Sequence, residues 1–274
     1  MELNELLAQD VALPSIPKVV ALLVSEVNRD EPDLRSISQL ISADPALTAR
    51  ILQLSNAAQF HMGGKIGSVS EALALLGLGH LRSLASAAAL GSTFRAVPGM
   101  NMQQFWRYSL NVAKLARSFA GMVRQNQSTA FTSGLLHAVG ELVMHLAAPQ
   151  AVASLGTSVG PLDMKRARAE HRAFGYCYAE VGAGFAAKWL FPQTIVDALR
   201  HQHLPFENGI YEPLAGVLHL AAWRARAKEA ELTDKELAVS FPDVVGLTLG
   251  LDIDMVLQQD PIDWLGRHDA GSYA

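Results

Sequence analysis

A single cysteine, Cys177, is the only thiol in this 274-residue chain. One cysteine excludes an intramolecular disulfide framework and suits a reducing compartment. Charge is also scarce. Only 18% of residues are charged, and the formal net charge of −4, with a pI near 6.1, argues against a broad basic surface for nucleic acid. Aromatic residues make up 7%, and the β-branched and aromatic clusters that would announce strands are rare. No uninterrupted apolar run reaches the ~20 residues a membrane span requires. The start, Met1-Glu2-Leu3-Asn4-Glu5, lacks the positive region and long apolar core of a signal peptide. A cytoplasmic protein without a membrane span is therefore expected. A Gly-x-Ser-x-Gly elbow and a dinucleotide fingerprint are both missing.

What is present favours helix. Half the residues are apolar, and Ala and Leu, both strong helix formers, supply much of that fraction. Apolar residues at Val19, Val20, Leu23, Val24 and Val27 follow helical spacing after Pro17, a residue suited to the first helical position. Leu34, Ile37, Leu40 and Ile41 repeat the pattern. Asp44-Pro45 then gives an N-cap and a first helical residue. His61 to Gly67 places glycines around Lys65, but the spacing fits no standard phosphate loop and reads as a turn. Ser68-Val69-Ser70-Glu71 has capping-box spacing. Leu76-Gly77-Leu78-Gly79 reads as a glycine-broken corner before a small-residue helix to about Leu90.

Ala96 to Asn101 is the strongest boundary, with Pro98 and Gly99 stopping one helix and Asn101 capping the next. We expect one helical lobe over residues 1–97 and a second over 98–274, packed closely together. In the second, helices are expected at about 102–124, 129–148, 162–173, 176–190, after Pro192, and at 212–230. Asn208-Gly209 reads as a turn and Thr233 to Glu236 as a further capping box. A short helix is expected near Asp252–Leu257.

The blocks Leu13-Pro14-Ser15-Ile16-Pro17, Ile41-Ser42-Ala43-Asp44-Pro45 through Ser55-Asn56, and Ser68 through Gly77 to Leu84 occur in one order. In that order they resemble the HDOD domain family, the bacterial HD-related output domain. The signature positions of the resemblance are Leu13, Pro14, Pro17, Asp44, Pro45, Ser55, Asn56 and Gly77. It implies an all-α fold of two lobes, the C-terminal one a degenerate HD phosphohydrolase scaffold. It also implies signal transduction through protein partners whose identity the residues do not specify.

HD phosphohydrolases hold divalent metals with imidazoles and carboxylates, and the metal acidifies a water for attack on phosphorus. By resemblance, Tyr108 stands where the first His would be. His137 matches the paired His, but Ala138 replaces its Asp, and Ala222 stands where the last Asp is expected. Glu141 sits where these enzymes often carry a basic residue. The expectation is no enzyme and no cofactor. The rival is a weak phosphohydrolase or cyclic-dinucleotide phosphodiesterase with a rebuilt site of His137, His171, His201 and Glu141. His61, His80, His145, His219 and His268 are expected to be structural or solvent-facing.

Cys177 reads as a small buried hydrophobe, against the alternative of a nucleophile. Arg224-Ala225-Arg226-Ala227-Lys228 and Lys165-Arg166-Ala167-Arg168 read as solvated helix faces. They are all that supports a second rival, a nucleic-acid-binding module. Two places are candidate ligand pockets: the vestigial cleft around His137, and a groove between the lobes near Leu13–Pro17 and the Asp44 helix.

Overall fold

Local rules place most of the helices. In the computed structural model, which describes residues 1–57, 65–91, 96–156, 159–262 and 264, the regular structure is helical and no strand occurs among the described residues. The chain begins with α1 (Leu3–Ala8), α2 (Pro17–Val27), α3 (Leu34–Ser42), α4 (Pro45–Ser55), α5 (Val69–Leu75) and α6 (Leu78–Gly91). It continues with α7 (Met102–Met122), α8 (Gln127–Leu136), α9 (Val139–Ala147), α10 (Pro149–Gly156), α11 (Arg166–Phe174), α12 (Tyr178–Lys188) and α13 (Gln193–His201). After a 3-10 turn at Glu207–Gly209 come α14 (Pro213–Glu229), α15 (Asp234–Ser240), α16 (Asp243–Leu249) and α17 (Ile253–Gln258).

The caps follow the sequence. Asp44 accepts from the N–H groups of Ala46 and Leu47, Asn101 from Gln104, and Thr233 from Glu236 in a reciprocal capping box. At Ser68 the box is half made: its hydroxyl accepts from Glu71 N–H, but the Glu71 carboxylate accepts from Gly67 instead. Of the segment His61 to Gly67, the residues before Lys65 lie outside the described part, as does His268.

Two of the HDOD-like signature residues, Asp44 and Asn56, tie α4 to segments outside it. Asp44, fully buried at the start of α4, also accepts the N–H of Ile16 from the Leu13–Pro17 segment. Asn56 at the end of α4 accepts from Ile66 N–H and donates to the Ile66 carbonyl, both in the segment before α5. Ser55 donates back to Ile51. These buried polar groups are therefore paired, as burial requires.

One apolar cluster runs from Leu6 in α1 to Val256 in α17. Helices α7 and α8 form the antiparallel centre of the C-terminal half, with α14 packed on α7 and α12 between α9 and α13. The first helix docks on α12, where Lys188 Nζ donates to the Leu7 and Gln9 carbonyls. Among the described residues, no single helix is long and apolar enough to cross a membrane.

The expected helix over 129–148 is in fact two. The helix is interrupted at His137-Ala138, where Glu141 N–H bonds back to the Ala138 carbonyl before α9 begins. Apolar residues continue through the break, so periodicity alone does not reveal it. Pro149 opens α10.

Candidate functional site

At the end of α8 the His137 imidazole points inward. His137 is fully buried, and its Nδ1–H donates to the Gly134 carbonyl at 2.7 Å, one turn back in α8. A carbonyl only accepts, so the proton sits on Nδ1 and Nε2 keeps its lone pair. That Nε2 has no hydrogen-bond partner. Burial and then the nearby Arg226 charge push the His137 pKa down to about 3, so the ring is neutral. The His137 carbonyl accepts from Gln202 Nε2 at 2.9 Å, which ties the break to the end of α13.

Two aromatic rings and a guanidinium complete this side. Tyr108 of α7 stands edge-on to His137, with ring centroids 5.0 Å apart. Arg226 of α14 lies with Cζ 5.8 Å from the Tyr108 ring and 6.0 Å from the Tyr178 ring, and donates to the Tyr178 hydroxyl at 3.2 Å. Burial works against the Arg226 charge, but the two tyrosines and Glu141 more than offset it, so the guanidinium is held charged. Burial raises both tyrosine hydroxyls, so they stay protonated at neutral pH. Ala222, the position of an expected carboxylate, is buried one turn before Arg226 in the same helix. The expectation that Arg226 is solvated surface is corrected here: its Nε is covered completely. The aromatic rings of Tyr108 and Tyr178 offset the loss of water.

A second buried charge lies behind. Arg166 is fully buried, and its Nε donates to Glu170 at 2.7 Å and faces Glu141 at 3.3 Å, while Nη1 donates to the Val159 carbonyl. This corrects the solvated reading for Arg166, whereas Lys165 and Arg168 are exposed as expected. Burial, and next the neighbouring Glu170, raise the Glu141 pKa far above the carboxylate range. One guanidinium between two buried carboxylates favours one proton on the pair. Glu170 also accepts from Tyr178 N–H, linking this cluster to the first. His145 donates from Nδ1 to the Pro98 carbonyl, and its Nε2 lies 3.8 Å from Glu141.

The four residues of the rebuilt-metal alternative do not assemble. His171 of α11 is 41% exposed and pairs with Glu180 at 3.1 Å, while His201 ends α13 and is half-buried. Among the described residues, the His, Cys, Asp and Glu side chains whose ligand atoms converge within 4.8 Å are His171, Cys177 and Glu180, not a set around His137. Around His137 the donors are one imidazole nitrogen, a phenol that stays protonated and a fixed guanidinium. Such a set does not fit a divalent cation. Cys177 is buried as expected, and burial pushes its thiol up to about 12, too high for a nucleophile at neutral pH.

Beside Leu13–Pro17, Asp44 accepts the Ile16 N–H. A polar cleft of about 80 Å³ is lined by Ser42 of α3, Thr48 of α4, Ser68, Arg117, Ser128 and Thr132. Arg117 lies over the Phe131 ring at 4.4 Å.

Sequence reasoning missed Arg166, Glu170, Tyr178, Gln202 and Arg226. One signal was available: Arg166 and Glu170 stand four apart on one helix, a spacing that pairs opposite charges.

Comparison with known proteins places this architecture. The HDOD domain model matches residues 13–205. An uncharacterized protein of Treponema pallidum (strain Nichols) is 25% identical over 232 residues, which cover 84% of this chain and 45% of that protein. The chain thus spans less than half the length of that relative. The crystal structure of a fragment of the MmoQ response regulator of Methylococcus capsulatus str. Bath matches with TM-score 0.70 and 26% identity, covering 90% of this chain and 95% of that one. A protein of Shewanella amazonensis SB2B, described as a candidate phosphohydrolase, matches with TM-score 0.53 and 27% identity over 94% of this chain and 92% of that one.

Proposed function

Because the chain belongs to the HDOD domain family, we propose that it is a non-catalytic signal-transduction protein that acts by binding. A signalling role follows from the family and from the likeness to a response regulator. The finer reading, binding without turnover, rests on Arg226. This guanidinium lies against Tyr108, the same ring that meets His137, and its charge helps keep that imidazole neutral. A permanent cation beside the single imidazole opposes a divalent metal there and leaves no group to acidify a water.

The hydrolase rival draws on the Shewanella likeness. It needs further donors to converge on His137, and Ala138 offers none. Arg226 and Arg166 are both engaged inside the protein, which weighs against the nucleic-acid reading. The polar cleft between α3–α5 and α7–α8 is a candidate ligand surface beside the region around His137.

The test is turnover. With manganese or iron(II) added, hydrolysis of cyclic dinucleotides and phosphomonoesters is expected to stay at the level of the His137→Ala variant. Turnover above that level, abolished by the substitution, would overturn the proposal.

A further inference from the structure

The corner between α11 and α12 brings three ligand types to one point. His171 lies in the last turn of α11, which ends at Gly175 with a left-handed backbone, φ +80°. Two residues later Cys177 caps α12, and Glu180 sits in its first turn. Glu180 Oε2 is 3.1 Å from His171 Nε2 and accepts the Cys177 N–H at 2.8 Å. The Cys177 sulfur in turn faces the Glu180 N–H. The imidazole, sulfur and carboxylate ligand atoms all lie within 4.8 Å of one another.

We propose that His171, Cys177 and Glu180 form a binding site for a borderline-soft divalent metal such as zinc or cobalt. Ligand atoms at about 2.0–2.3 Å from a tetrahedral metal stand roughly 3.3–3.6 Å apart. The trio therefore needs to close by only about an ångström. Thiolate and imidazole select zinc-like ions over magnesium or calcium, which take oxygen ligands. His171 is 41% exposed and Glu180 33%, so the metal enters from solvent and a water takes the fourth position. The sulfur lies on the protein side, with Cys177 only 2% exposed.

Binding replaces the S–H bond of Cys177 with a sulfur–metal bond and releases that proton to solvent. The imidazole coordinates through Nε2 with its proton on Nδ1. Because the thiol must give up its proton to bind, apparent affinity rises with pH. The site is separate from His137 and does not depend on whether the protein is catalytic.

Cobalt(II) titration followed by absorbance tests it. A near-ultraviolet thiolate-to-cobalt band is expected to saturate at one equivalent, and zinc should bleach it. His171→Ala, on an exposed side chain that leaves the helix cap intact, should weaken binding tenfold or more. Cys177→Ser should remove the band, and His137→Ala should change nothing. No thiolate band at pH 8, or equal affinity in His171→Ala, overturns the site. Loss of metal in His137→Ala alone would also overturn it, and would revive the hydrolase instead.

Discussion

Tyr108 stands edge-on to His137, with ring centroids 5.0 Å apart and planes at 62°. The contact is between a phenol kept protonated by burial and an imidazole kept neutral by burial and the Arg226 charge. An unfolded imidazole takes up its proton near pH 6.5, whereas folded His137 does so only near 3. Its contribution to stability is thus complete above pH 6.5 and is lost as pH falls toward 3. Other buried histidines, His145, His203 and His219, shift the same way, so the total slope is shared. His137→Gln isolates its part. Between pH 6 and 4, urea unfolding of the variant should lose up to ~1.4 kcal/mol less per pH unit than the parent. Parallel pH profiles would show that the folded imidazole is protonated normally.

The Arg166 cluster makes an opposite pair of predictions. Removing the guanidinium in Arg166→Leu leaves Glu141 and Glu170 buried together, and should destabilise by about 3–5 kcal/mol. Glu141→Gln removes one carboxylate of the repelling pair while keeping its shape, so the expected change at pH 7 is within about 1 kcal/mol, in the stabilising direction. Glu141 has a folded pKa above its unfolded value, so it stabilises at low pH and that contribution is lost as pH rises through the folded value. The Gln variant should therefore gain on the parent as pH rises above 5. Thermal unfolding of both variants from pH 5 to 9 measures this.

These two clusters mark where the sequence stops being legible. Caps at Asp44, Asn101 and Thr233 are local, set by side chains within three residues of their targets, and the structure has them as expected. The family resemblance placed Leu13–Pro17 and Asp44 among its signatures, and these positions touch. Burial of Arg166 and Arg226 was not legible. Each sits in a basic run that reads as solvated, and the partners that hold Arg226, Tyr108 and Tyr178, come from other helices. The break at His137 was hidden for a related reason. It is fixed by Gln202 and by the approach of α12, and not by a local breaker residue.

Asp44 gives a prediction about the N-terminal signature. One carboxylate oxygen takes the Ala46 and Leu47 N–H groups, and the other takes Ile16 N–H. Asn at this position keeps the first oxygen but sets an amide NH2 against the Ile16 N–H, two donors face to face. Asp44→Asn should cost about 1–3 kcal/mol, the penalty for a buried donor left unpaired. Asp44→Ala should cost more, because the α4 cap is lost as well. Hydrogen exchange at Ile16 should speed up in both, while exchange at Ala46 and Leu47 should speed up chiefly in the Ala variant. Unchanged Ile16 protection in Asp44→Asn would refute the assignment.

Gly140 follows the His137 break by one turn, and its backbone touches that of α12. A Cβ there would lie 1.9 Å from the Tyr178 carbonyl oxygen and 2.8 Å from Gly182 N, both backbone atoms that cannot rotate away. Across the same contact, a Cβ on Gly182 would meet Gly140 N at 3.5 Å, ordinary van der Waals separation. The two glycines face each other, yet only one is sterically required. Gly140→Ala must push α9 from α12 and disturb the Tyr178 N–H bond to Glu170, at a cost at or above the upper end of ~1–3 kcal/mol for overpacking. Gly182→Ala adds a methyl without a clash and gains helix propensity of up to ~1 kcal/mol. It should be neutral to slightly stabilising. Urea denaturation of the two single variants decides the matter, and equal losses in both would show that the α9–α12 crossing is not set by Gly140.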